Sequence, residues 1–238
     1  MAPLPSSRQI SPVAREGEVM LLLIDCHNHH RHGALLEKAY RFRHRHFVDR
    51  LKWEALRKPD GREIDQFDGP DCVHVIGVEN DEVASYVRLL PTTRPHLQSH
   101  VYPEILQGAQ APTGPGIYEW TRGSVDPNKR DGSTGIDRTT AGFWLGVAEA
   151  AEHLGLDGLL VQSHPMMMGR ILELGWQVKP LALPTTYDGA PIVSYYAGMS
   201  PKTLPKLRAT FGISHPLLVI EDRAPAAPGA PTRPRYPS

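Results

Sequence analysis

Cysteine is nearly missing: Cys26 and Cys72 are the whole supply. Two thiols build no disulfide framework, so a reducing cytoplasm is the expected home. Charge of one sign is not in excess either. With 26 basic and 26 acidic residues among 238, the formal net charge is zero. That argues against a generic nucleic-acid binder, whose affinity rests on surplus Lys and Arg. Long apolar runs are lacking too. The best one, "VMLLLI" at 19–24, is far shorter than a membrane span, and "EGE" stands before it where a secretory signal would be positively charged. It reads as a buried strand, and no membrane partner is expected.

What is present fits a globular protein with a core: 40% hydrophobic and 22% charged residues. Proline gathers partly at the two ends. "MAPLPSSRQISPVAR" and "APAAPGAPTRPRYPS" read as disordered extensions, 1–16 and 223–238, around one folded domain at 17–222. Within it strands are expected at 18–24, 72–78, 82–89 and 116–125, with "EN-DE" as a polar hairpin turn between the second and third. A helix is expected at 33–50, and another from Thr139, with Thr at its start and Gly155 at its end. Beyond it, "GLLVQS" reads as a strand and "PMMMGRILELG" as a helix with Pro165 in its first turn. "WQVKPLAL" and "APIVSYYAG" read as closing strands. Strands with helices between and after them predict an α/β (α+β) sandwich on one mixed sheet.

Charged residues stand where the chain is too apolar for a simple surface. In "YRFRHRHFVDRLKWEAL", Arg43, Phe47 and Arg50 share one helical face and Trp53 follows as the helix ends. Taken alone, such a stripe is more often core packing beside a solvated face. In "YVRLLPTT", Arg88 lies in an apolar strand, where it must either snorkel out or pair with a carboxylate. "IYEWTRGSVD" carries Glu119 and Arg122, three positions apart and therefore on opposite faces of a regular strand; a bulge would bring both to one side. "GREIDQFD" adds Asp65 and Asp68. The economical reading is an internal network in which Asp65, Asp68, Glu119, Arg88 and Arg122 satisfy one another.

Together, Arg43-x3-Phe47-x5-Trp53, Gly61-x-Glu63-x-Asp65-x-Phe67-Asp68, Arg88-Leu-Leu-Pro-Thr-Thr and Glu119-x-x-Arg122 resemble the acyl-homoserine-lactone synthases, the autoinducer synthases of bacterial quorum sensing. The resemblance covers about 18 through Gly175-Trp176. It implies an N-acetyltransferase-like three-layer sandwich, a twisted mixed sheet flanked by helices, with a cleft between splayed strands. It also implies an acyl thioester, on acyl carrier protein or coenzyme A, joined to S-adenosyl-L-methionine with release of 5′-methylthioadenosine. S-adenosylmethionine is then a consumed substrate, with no cofactor and no metal. The expected catalytic residues are Glu119, as base, and Arg122. The expected substrate-binding residues are Arg43, Phe47, Trp53, Asp65, Asp68, Arg88 and Tyr102.

Two positions depart from the family's usual pattern. Tyr102 stands where Phe-Pro is common, and Gly123-Ser124 follow the arginine where a bulky residue is common, which predicts extra room or an altered shape in the acyl pocket. Val161 occupies a strand position where makers of 3-oxo products often carry Thr, which leans toward an unsubstituted chain, while a valine packing a buried strand fits equally well; Gly123, Ser124 and Val161 are the candidate acyl-pocket lining. The "MMM" run at 166–168 is a further candidate lining, though core packing fits at least two of the three. Lys52, Arg57 and Lys58 form a candidate positive patch for an acidic carrier, or equally a solvated helix end.

Two other readings are open. A coenzyme A-dependent N-acetyltransferase of the same fold would want a Gly-rich pyrophosphate loop, of which "NKRDGSTGIDR" is a poor version. A histidine-rich metal-binding module would use "CHNHHRH" at 26–32, which reads more simply as a solvated loop.

Overall fold

The structure, a computed structural model, describes residues 19–129 and 137–221. The expected disordered ends lie outside the described residues, as does most of the "NKRDGSTGIDR" loop. Four strands open the chain: β1 (Met20–Ile24), β2 (Val73–Glu79), β3 (Glu82–Pro91) and β4 (Ile117–Val125). They form an antiparallel meander. The β2–β3 turn is tight because Asn80 and Asp81 both take positive φ, 50° and 63°, the left-handed pair that matches strand twist.

β5 (Gly158–Ser163) joins β4 in parallel, and β6 (Gln177–Pro180) and β8 (Ala190–Gly198) extend that side; with β9 (Leu218–Val219) beyond β1 the order is β6-β8-β5-β4-β3-β2-β1-β9. A short β7 (Thr185–Tyr187) pairs with the start of β8 through Asp188-Gly189, again with both φ positive. Two-residue β9 (Leu218–Val219) lies parallel to β1.

The sheet is buried on both faces. On one side α3 (Arg138–His153) packs over Val75, Val87, Leu89 and Leu159, joined by Ile171 of α4 (Pro165–Glu173) and Leu204 and Leu207 of α5 (Thr203–Phe211). On the other, α1 (Gly33–Arg43) lays Leu36, Ala39 and Phe42 against Leu22, Ile24, Ile76 and Tyr86. Alternating strand residues feed the two cores, which accounts for strands that read as continuous apolar runs. These are the three expected layers.

Several local expectations need correction. α3 is capped by Asp137, whose side chain accepts the Thr140 N–H, rather than by Thr139. The 33–50 helix is not uniform: after α1 the chain widens into a π-helical turn over His44–Arg50, with Leu51 N–H bonded to His46 O. The wider turn keeps Arg43 and Phe47 inward but leaves Arg50 exposed. Helix α5, strands β7 and β9, and a short α2 (Leu97–His100) had no sequence expectation.

Candidate active site

β4 makes the site by pairing with two neighbours that diverge. Its first half pairs with β5 from Ile117↔Gly158 to Trp120↔Val161, and its second half stays with β3 alone. The sheet therefore forks beyond Trp120. A cleft of about 710 Å³ opens there, with Thr121 and Arg122 on one arm and Gln162, Ser163 and His164 on the other. Trp53, Leu97, Tyr102, Glu119 and Tyr187 complete much of the wall.

The bulge anticipated between Glu119 and Arg122 exists. Tyr86 faces Ser124 while Arg88 faces Thr121, so β4 carries one extra residue, and Arg122 sits in the left-handed region at φ 55°. Holding a non-glycine residue there costs of order 1–3 kcal/mol. The effect is that Glu119 and Arg122 both reach the cleft.

Behind Arg122 lies the ionic network. Arg43 donates from Nε to Glu63 at 2.6 Å and in two bonds to Asp68 at 2.6 and 2.9 Å. Arg88 grips Asp65 with two bonds at 2.6 and 2.9 Å, lies 3.1 Å from Asp68, and donates to Thr121 Oγ1. Arg122 closes the set with bonds of 3.1 Å to Glu63 and Asp65. Three guanidiniums thus meet three carboxylates, which is how the interior tolerates them. Burial alone would raise the Asp68 carboxyl, but Arg43 and Arg88 outweigh it and hold it well below the usual carboxylate range.

Burial divides the expected substrate residues into two tiers. The side chains of Arg43, Arg88 and Asp68 are 0% exposed; they satisfy one another and present nothing to a ligand. Phe47 is also buried, stacked at 5.0 Å beneath Trp53. The outer tier is Trp53, 44% exposed, Tyr102 and Arg122, which line the cleft, and Asp65, 13% exposed, which does not line it but is bonded to Arg122. Arg122 lies over the Phe47 and Trp53 rings at 5.6 and 5.8 Å, so the cation these aromatics meet within the chain is a guanidinium.

Glu119 stands apart from the network expected to include it. Its two oxygens accept the Leu97 and Gln98 backbone N–H groups, both at 2.8 Å, and anchor the turn that leads to Tyr102. Glu63 is the reverse case. It lay inside the quoted motif without an assigned role, yet it bridges Arg43 to Arg122. Its position two residues before Asp65 was the available signal. Tyr86 and His74 carried no sequence expectation either: the Tyr86 hydroxyl accepts from Arg43 and lies 2.6 Å from His74 Nδ1.

Gly123, Ser124 and Val161 do not line the cleft. Ser124 and Val161 are buried, and a Cβ at Gly123 would stand 3.0 Å from Trp120 Nε1 and 3.2 Å from Phe143 Cζ. Rings occupy the room that the glycine was expected to leave open. Met166 and Met167 are exposed, and only Met168 packs against the core. The basic patch is partly neutralised, since Arg57 pairs with Asp49 and Glu54. In the histidine-rich stretch, Asp25, Cys26 and His27 bring one ligand atom each within 4.8 Å of one another at a partly to fully exposed turn. Among the described residues no helix is long and apolar enough to cross a membrane.

A family profile described as autoinducer synthase matches residues 27–198. The isovaleryl-homoserine lactone synthase of Bradyrhizobium diazoefficiens is 32% identical over 203 residues, covering 85% of this chain and 90% of that one. An acyl-homoserine-lactone synthase of Acinetobacter nosocomialis is 30% identical, covering 65% and 87%. Among solved structures, a coenzyme A-dependent acyl-homoserine lactone synthase, BjaI, solved with SAM and isopentyl-coenzyme A, superposes with TM-score 0.78 at 30% identity, covering 84% of this chain and 92% of that one. The likeness to Escherichia coli ElaA, with TM-score 0.50 at 17% identity, is one of fold alone. The fold is N-acetyltransferase-like, and the chain belongs to the autoinducer synthase family, the acyl-homoserine-lactone synthases.

Proposed function

We propose that this chain joins the acyl group of a coenzyme A thioester to S-adenosyl-L-methionine, forming an N-acyl-L-homoserine lactone and releasing 5′-methylthioadenosine. The observation that carries the reading is Arg122, which is locked to Glu63 and Asp65 on one side and lines the open cleft on the other. Its Nε and Nη2 are engaged, which leaves Nη1 for a substrate carboxylate. Asp65 has the most exposed carboxylate of the network, 13%, and orients the substrate amine. Trp53 and Tyr102 face the adenine and the sulfonium. Arg43, Arg88, Asp68 and Phe47 act through these residues, holding the charges in place before substrate arrives.

An α-amine ordinarily titrates at about 7.7–8.0, so at neutral pH it must lose a proton before it can attack. Glu119 takes it, directly or through one water; Oε2 accepts the Leu97 N–H and lies 3.3 Å from His96 Nδ1, while Oε1 accepts the Gln98 N–H and keeps a second lone pair. The amine nitrogen bonds to the thioester carbonyl carbon and sheds its second proton, the carbon–sulfur bond breaks, and coenzyme A leaves as a thiol carrying that proton, while the first passes from Glu119 to water. The substrate carboxylate then attacks the carbon next to the sulfonium. That carbon–sulfur bond breaks, the five-membered lactone closes, and neutral 5′-methylthioadenosine departs. Positioning alone gives such a ring closure an effective molarity of about 10⁵ M or more. On this reading no cofactor takes part.

The coenzyme A dependence of two solved relatives, BjaI and MesI, supports that donor over an acyl carrier protein. The test supplies purified protein with S-adenosylmethionine and the same isovaleryl group on coenzyme A or on carrier protein, with mass spectrometry of the products. Lactone and 5′-methylthioadenosine from the coenzyme A thioester are expected. Lactone from the carrier thioester alone would overturn the donor, and an acylated amine without 5′-methylthioadenosine would point to an ordinary N-acetyltransferase.

A further inference from the structure

We propose that Trp120 is the acyl-length gate of this enzyme, restricting it to short acyl groups whose tail ends against the indole. The proposal rests on the acyl-transfer reading above and specifies the substrate class of that same cleft. Trp120 and Val161 are the last paired residues before β4 and β5 part, and of the two it is Trp120 that lines the cleft, at the floor of the fork. Both belong to the core on the α3 side of the sheet, and Trp120 also borders the cleft. A thioester tail running down the fork therefore meets Trp120 first.

What lies behind that floor is full. The Trp120 ring stands 5.8 Å from Phe143 and 5.8 Å from Trp144, which are 5.3 Å from each other, and all three are buried. Aromatic clusters of this kind are dense and hold their geometry. Gly123 completes the arrangement. A Cβ there would sit 3.0 Å from Trp120 Nε1, tighter than ordinary contact, so the missing side chain seats the indole. The departure from the family pattern at 123 thus narrows the passage instead of widening it. An acyl tail that needs more depth has to displace the indole.

The test measures kcat/KM for isovaleryl-, hexanoyl-, octanoyl- and decanoyl-coenzyme A with the full chain and with Trp120→Leu, after a thermal melt has verified folding. One methylene in an apolar pocket is worth roughly 10–200-fold in such comparisons. The native chain should favour isovaleryl, and Trp120→Leu should raise the octanoyl-to-isovaleryl ratio at least about tenfold. Phe143→Leu, which frees space behind the indole and lets it swing back, should move the ratio in the same direction and stands in should Trp120→Leu fail to fold. Ratios unchanged in the folded variants, or a native chain already preferring decanoyl, would overturn the gate. A native chain that makes no lactone from any thioester would sink the acyl-transfer reading instead.

Discussion

Arg43 and Asp68 hold each other through two bonds, 2.6 and 2.9 Å long, with neither side chain exposed to solvent. Removing one partner strands the other charge in the interior, which costs about 3–5 kcal/mol. Asp68→Asn should therefore lower the urea unfolding midpoint sharply. The Arg57–Glu54 pair at the surface is the control: Arg57→Ala should leave the midpoint essentially unchanged, since exposed pairs contribute little. The Asp68 contribution has a defined pH window. Its folded carboxyl is held below the usual range, so the stabilisation is complete above about pH 4 and fades as pH falls beneath that.

His74 gives the opposite kind of group. Burial drives its imidazole down to about 4, so the folded protein keeps it neutral. The neighbouring bonds agree: Arg43 can only donate to the Tyr86 oxygen, leaving the Tyr86 hydrogen for an unprotonated His74 Nδ1. Between about pH 6.5 and pH 4 the unfolded chain takes a proton that the folded chain refuses, and stability falls with pH by up to about 3 kcal/mol. Thermal melts across that range should show a shallower decline for His74→Gln than for the native chain.

Trp53 is half-open to the cleft and stacked on Phe47, so truncating it leaves the core intact. Trp53→Ala should weaken S-adenosylmethionine binding by about 0.5–2 kcal/mol, between twofold and thirtyfold in Kd by calorimetry. Its melting temperature should stay near the native value.

Glu119 combines two roles that one substitution can separate. In Glu119→Gln the amide nitrogen opposes one of the two backbone N–H groups, so hydrogen exchange at Leu97 or Gln98 should accelerate. Turnover should fall far more than S-adenosylmethionine affinity, typically about 10²–10⁴-fold for a lost general base. Faster exchange with near-normal turnover would leave Glu119 as a positioning residue alone.

The strands and main helices are legible in the sequence because apolar runs, turn residues and caps mark them locally. Asn80-Asp81 and Pro165 are examples. Helix α5 is not, because "TLPKLRATF" carries a proline and a weak apolar stripe and is held chiefly by Leu204 and Leu207 against the core. The β7–β8 hairpin does carry a readable signal, its Asp-Gly turn. Within the site, pairing of Arg88 with carboxylates and the β4 bulge follow from the cost of burying charge and the period of a strand. Which carboxylate meets which arginine does not follow, because it depends on how the 61–68 loop lies against β3 and β4. Gly123 shows a similar limit: whether a missing side chain opens space or reshapes the wall depends on the neighbouring rings, and here Trp120 and Phe143 stand where a Cβ would meet them.

The most direct measurement of the central claim is mass spectrometry of extracts from a host that makes no such signal and expresses this chain alone, scanned for the homoserine-lactone fragment ion. Acyl-homoserine lactones should be present, and they should vanish with Arg122→Ala, whose guanidinium ties the buried network to the cleft. Extracts without that ion, from cells containing folded protein, would contradict the claim.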